Sequence, residues 1–101
     1  MMKEAMAAYN QAVRRDPQSA WVYNQRSNAY RRLGQHQRAV QDYNEAIRRA
    51  PQFAEPYAGR ALAYILLSRD NEAQQDVARA VELGFQSALL EREVKELTKR
   101  R

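Results

Sequence analysis

Residues 20–51 read AWVYNQRSNAYRRLGQHQRAVQDYNEAIRRAP, and residues 54–85 read AEPYAGRALAYILLSRDNEAQQDVARAVELGF. Shifted by 34 residues, the two stretches fall into register without a gap. Ala20/Ala54, Tyr23/Tyr57, Arg26/Arg60, Ala29/Ala63, Tyr30/Tyr64, Leu33/Leu67, Ala39/Ala73, Asp42/Asp76 and Ala46/Ala80 coincide. A second overlay, 34 residues upstream, sets Ala5, Tyr9, Asn10, Ala12, Arg14, Arg15, Pro17 and Gln18 on Ala39, Tyr43, Asn44, Ala46, Arg48, Arg49, Pro51 and Gln52. A fixed period of this length marks a stacked-repeat protein, in which each unit buries its apolar face on its neighbours. Such stacks offer a surface more readily than a reaction centre.

Working outward, the apolar spacing predicts helices throughout. Lys3 to Arg15 carries Ala5, Ala8, Tyr9 and Ala12 on one face and stops at Pro17. Ser19 is placed to cap a second helix, Ala20 to Leu33, which Gly34 ends. A third covers Gln37 to Arg49. A fourth starts near Ala54, where Pro56 falls in the tolerant first turn, and runs until Ser68. Asp70 is expected to cap a fifth, closing at Gly84, and a sixth spans Ser87 to Lys99 with Leu90, Val94 and Leu97 on one stripe. Nothing reads as a strand, and the short turns force antiparallel neighbours.

The 101 residues suit one domain with a modest core, and no apolar run is long enough to span a bilayer. There is no Cys, so disulfides, thiolate nucleophiles and thiolate metal sites are excluded; a reducing compartment is compatible, and the cytoplasm is the expected setting. The opening Met-Met-Lys-Glu-Ala-Met is too short and polar for a secretory signal. A net charge of +5 would favour acidic partners, but its placement argues for a local role. Arg14-Arg15, Arg31-Arg32 and Arg48-Arg49 each precede a helix stopper, where cations offset the free carbonyls of a last turn.

These residues resemble the tetratricopeptide repeat family, whose unit is a pair of antiparallel helices, A then B. That family favours, in order, a large aromatic, a small residue, Tyr, Ala, an aromatic, Ala and Pro. The first complete unit supplies Tyr23, Ser27, Tyr30, Ala39, Tyr43, Ala46 and Pro51; the second supplies Tyr57, Ala61, Tyr64, Ala73, Val77 and Ala80, with Phe85 where Pro is usual. The opening segment matches a B helix alone, through Ala5, Tyr9, Ala12 and Pro17. The resemblance implies a right-handed all-α solenoid of about six helices. Its parts would be a half repeat at 1–17, complete units at 18–51 and 52–85, and a capping helix at 86–101. Small residues let the helices of a unit approach closely, and the tyrosines fill the space between units.

Two departures from the pattern carry information. Arg26 and Arg60 stand where an aliphatic residue is usual, and Asp42 and Asp76 recur at the same separation, which predicts a repeated ion pair within each unit. The position equivalent to Asp42 in the opening half unit is Ala8, where no A helix brings an Arg. The opening B helix also has no A helix on its outer flank. Either the chain is a piece of a longer array or an engineered repeat, or another copy covers that flank and the chain self-associates.

In the family the A helices line a concave groove that receives peptides or partner helices. The matching positions are Trp21, Asn24, Asn28, Arg31 and Arg32, then Glu55, Ala58, Leu62, Ile65 and Leu66, with Arg92 and Glu96 turned to the same side from the last helix. The resemblance thus implies a protein or peptide partner on a groove basic at one end and aliphatic in the middle, suited to an acidic residue beside apolar ones. Asn24 and Asn28 would bond a peptide backbone. The competing reading is that Leu62, Ile65 and Leu66 merely pack on the final helix. Some relatives clamp the carboxylate of chaperone tails; here only Asn28 matches that clamp, with Asn24 for a Lys and Gly59 for an Asn, so that ligand is disfavoured.

Other chemistries find little support. His36 is the lone histidine and falls in a turn; Asp70, Asn71 and Glu72 read as a helix start, not a calcium loop. No catalytic set, phosphate loop or metal pair is present, so no enzyme, cofactor or metal is expected. RNA binding through the Arg-rich surface is the rival class, disfavoured because the tyrosines serve packing and acidic residues are interspersed. A membrane role for the last helix is weaker still.

Overall fold

Three of the helices, the second, fourth and fifth, end by one repeated device. At the end of the second helix Gly34 adopts φ +79°; its N–H donates to Arg31 and that of Gln35 donates 2.9 Å to the Tyr30 carbonyl. This closes the free carbonyls of the last turn in a Schellman arrangement. Gly84 (φ 107°) repeats it, with the Phe85 N–H on the Ala80 carbonyl. Between them Ser68 takes the same left-handed conformation (φ 59°), with Arg69 donating to Tyr64 at 2.8 Å. The fold at that point demands the geometry whether or not glycine is present.

The computed structural model describes residues 2–101. It contains α1 (Met2–Arg15), α2 (Ala20–Arg32), α3 (His36–Arg49), α4 (Ala54–Leu66), α5 (Asp70–Glu82) and α6 (Ser87–Arg100), and no strand among the described residues. Ser19 caps α2 as expected, its hydroxyl accepting from the Val22 N–H at 3.3 Å. Asp70 does not cap α5. The N-cap is Arg69, and Asp70, the first helical residue, instead binds the Arg101 guanidinium, which also donates 2.9 Å to the Ile65 carbonyl. The Arg101 hydrogen bond holds the Asp70 carboxyl below its ordinary range. Arg101 is thereby fastened across the turn between α4 and α5.

The helices pair in sequence order. α2 packs on α3 and α4 on α5; α3 and α2 both touch α4, α1 lies on α2, and α6 covers α4 and α5. This is the stacked arrangement the 34-residue period demands. Ala39 and Ala73 are completely buried (0% exposed), as are Ala46, Ala61, Ala80 and Ser27. Two apolar clusters form the core: Val40, Ala63, Tyr64, Ile65 and Ala73, and Tyr57, Ala58, Leu62, Ala80 and Leu90. Val94 and Leu97 of α6 pack against both. α1 buries no residue fully, and Ala8 on it is exposed. Its Ala5, Tyr9 and Ala12 stay half-buried, because α1 has a neighbour on one side whereas α3 is held between α2 and α4. Among the described residues no helix is long and apolar enough to cross a membrane.

The expected ion pairs are present, and each is a larger cluster than the sequence reading anticipated. Arg60 donates through Nε and Nη2 to both Asp76 oxygens, at 2.7 Å each, and through Nη1 to Asn44 Oδ1 at 2.7 Å. Its guanidinium lies 5.8 and 5.7 Å from the Tyr57 and Tyr64 ring centres. Arg26 repeats the pattern one unit earlier: Asp42 at 2.6 and 2.8 Å, Asn10 at 3.2 Å, with Tyr23 and Tyr30 on either side. The hydrogen bond that Arg26 donates to Asp42 raises the Arg26 pKa; at Arg60 burial acts to lower it and is outweighed by Asp76. Each arginine therefore ties its own unit together and bonds the B helix of the unit before. Asn10 and Asn44 are themselves one period apart, so the overlay already contained that signal.

Candidate functional site

Helices α2, α4 and α6 run side by side and leave a cleft of about 140 Å³ bordered by Asn24, Asn28, Arg31, Glu55, Ala58, Gly59, Leu62, Phe85, Leu90 and Glu93. Its wall begins with Tyr43, which reaches across from α3. The Tyr43 ring is 0% exposed; its hydroxyl donates to Asn28 Oδ1 and accepts from Arg31 Nε at 3.2 Å. The ring lies directly over Gly59. A Cβ at that position would stand 2.5 Å from Cζ and 2.7 Å from Cε1, so glycine in mid-helix is required by close approach.

The floor of the cleft carries an unusual group. Asn24 is 1% exposed, no hydrogen bond reaches its amide, and its Oδ1 is closed to solvent. A buried amide left unpaired costs about 1–3 kcal/mol. It is matched by nothing among the described residues, and it borders the cleft.

Of the predicted groove residues, the structure brings Asn24, Asn28, Arg31, Ala58 and Leu62 together, with Glu55. Trp21 (59% exposed), Arg32 and Arg92 point to solvent and do not border the cleft. Ile65 is not accessible: it lies in the core beneath Val94 and Leu97 of α6. Leu62 and Ala58 line the cleft but also pack on Leu90, so the competing reading holds for part of the aliphatic set. The rotation of α6 presents Glu93, not Arg92 or Glu96, to the cleft. The expected basic end therefore shrinks to Arg31, tethered to Tyr43, while Glu55 and Glu93 make no ion pair among the described residues. Glu93 and Phe85 were missed because α6 and the turn before it depart from the repeat pattern.

A larger surface hollow, about 500 Å³, lies elsewhere, at the α2–α3 turn, lined by Gly34, Gln35, His36, Gln37, Arg38 and Leu67. Burial, helped by the Arg31 charge, holds His36 below the ordinary histidine value. No carboxylate is among the residues that line this hollow.

The geometry agrees with comparison to known proteins. A family model described as a tetratricopeptide repeat matches residues 8–41, and a second, described as a TPR repeat, matches residues 27–67. A sequence comparison with curated proteins finds no match. Among solved structures, the first TPR of Spaghetti (RPAP3) bound to the HSP90 peptide SRMEEVD is similar, at 25% identity and a TM-score of 0.87, over 98% of this chain and 79% of that one. The Arabidopsis OM64 TPR domain is 27% identical with a TM-score of 0.87, over 99% and 83%. The first TPR domain of human RPAP3 is 26% identical with a TM-score of 0.87, over 97% and 77%. Period, buried alanines, helix order and these matches agree, and the chain belongs to the tetratricopeptide repeat family.

Proposed function

We propose that this chain is a non-catalytic protein-interaction module that binds a peptide or partner helix on the concave side of α2, α4 and α6. The observation carrying this reading is the Asn24 amide, buried and unpaired at the edge of the cleft. With Oδ1 closed to solvent, the Asn24 Nδ2 is the atom placed to donate to a peptide carbonyl. Asn28, Arg31, Ala58 and Leu62 supply the rest of the contact surface. The similar first TPR of Spaghetti, bound to an HSP90 peptide, supports a peptide as the class of ligand.

An acidic chaperone tail fits this chain poorly. Of the clamp residues named above only Asn28 is present, and it is committed to the Tyr43 hydroxyl. Where the clamp has its second Asn stands Gly59, and the Tyr43 ring fills that space. The unit boundaries proposed with this function are 1–17, 18–51, 52–85 and 86–101, the last as a cap.

The test is titration of ¹⁵N-labelled protein with a pool of randomised, end-blocked heptapeptides. Shifts should concentrate at Asn24, Asn28, Ala58 and Gly59. Asn24→Leu, which removes the unpaired amide at similar volume, should fold and lose the response. Shifts centred elsewhere, or an undiminished response in the variant, would reject the concave site.

A further inference from the structure

We propose that the concave cleft selects a peptide whose central side chain is cationic, lysine or arginine, flanked by apolar residues; this rests on the peptide-binding reading above. Three observations carry it. First, Glu55 and Glu93 border the same cleft from α4 and α6 and have no partner among the described residues. On α3 to α5 the other carboxylates are all paired, Asp42 with Arg26, Glu45 with Arg48, Asp70 with Arg101, Glu72 with Arg69, Asp76 with Arg60 and Glu82 with Arg79; on α6 Glu91 and Glu96 are also without an ion pair among the described residues, and Glu93 differs from them in bordering the cleft. In a chain carrying +5, two carboxylates left free in one cleft are a local reversal of sign. Second, the cation of the cleft, Arg31, has its Nε engaged with the Tyr43 hydroxyl, which holds it against the wall. Third, the buried Asn24 amide lies among these residues and remains without a partner, so the cleft is built to meet a polar ligand and not only to close on itself.

The flanks follow from the repeat. Trp21, Glu55 and Leu89 succeed one another at the 34-residue period on α2, α4 and α6, and both Trp21 and Leu89 are exposed. An extended peptide crossing the three helices would meet an apolar, an acidic and an apolar contact in turn. Its cation would pair with Glu55 and Glu93, its backbone with Asn24, and its outer residues would cover Trp21 and Leu89. This inverts the charge preference suggested by the acidic peptide in the Spaghetti structure.

Two pools of end-blocked heptapeptides decide the matter, each with Leu at the second and sixth positions and randomised elsewhere, one with Lys fixed at the centre and the other with Glu. In ¹⁵N spectra at low salt the Lys pool should shift the Asn24 side-chain amide and bind about tenfold more tightly than the Glu pool. Doubling the variants Glu55→Gln and Glu93→Gln should bring the Lys pool down to the level of the Glu pool while leaving the melting temperature in place, since neither carboxylate has an internal partner. Equal affinity for the two pools, preference for Glu, or undiminished Lys binding by the double variant would overturn the charge selection alone. Silence of the Asn24 and Ala58 signals with both pools would overturn the concave site itself.

Discussion

At the scale of single residues, Tyr43 organises the inner wall. Its hydroxyl ties Asn28 to Arg31, and its ring occupies the space in which every residue but glycine has a Cβ. In an exposed helix Gly→Ala stabilises by about 1 kcal/mol. Here Gly59→Ala should instead destabilise by about 1–3 kcal/mol, as overpacking of a closed site does, read as a lower urea midpoint. Burial also pushes the Tyr43 hydroxyl above its ordinary 10.0, against the nearby Arg31. A folded value above the unfolded one means that the contribution to stability is complete below pH 10 and is lost as pH rises through the folded value. Stability should therefore fall more steeply above pH 10 in the wild type than in Tyr43→Phe. Parallel declines in the two proteins would refute that assignment.

The elements show how a repeat tolerates substitution. The α2 and α5 ends use Gly34 and Gly84 in the left-handed region, whereas α4 ends with Ser68 in the same conformation. The hydrogen bonds that close the turn are alike in all three, so the conformation is set by the closure and the side chain accepts it. A non-glycine residue there carries about 1 kcal/mol of steric penalty. Ser68→Gly should raise the melting temperature by about 4–8 °C for a domain of this size. An unchanged or lower melting temperature would mean that the serine is relieved locally. α1 and α6 illustrate the opposite limit: at the ends of the stack the covering neighbour is missing on one flank, and burial drops accordingly.

For the whole molecule, the arginine clusters set how one unit sits on the next. Arg60 bonds Asp76 within its unit and Asn44 in the unit before, and Arg26 does the same with Asp42 and Asn10. Arg60→Met leaves the Asp76 carboxylate buried without its cation and should cost about 3 kcal/mol, near the lower end for such pairs. Arg60→Met with Asp76→Leu should recover most of that loss, in a double-mutant cycle followed by urea. A harmless Arg60→Met would show that the cluster does not bind the units together. The stacked fold, the buried alanines, the Ser19 cap and the Arg–Asp pairs were legible in the residues, because in a repeat a contact between neighbouring units appears as a coincidence one period apart. The cleft was legible only in part. Asn24, Asn28, Arg31, Ala58 and Leu62 follow the period, but α6 does not, and its rotation about its own axis is settled by which of its side chains fit against α4 and α5. That packing buried Ile65, turned Arg92 outward and brought Glu93 in. Periodic residues thus determined the architecture by themselves, whereas the charge and reach of the cleft were decided by tertiary packing, since a helix that breaks the period finds its face only against the surface it covers.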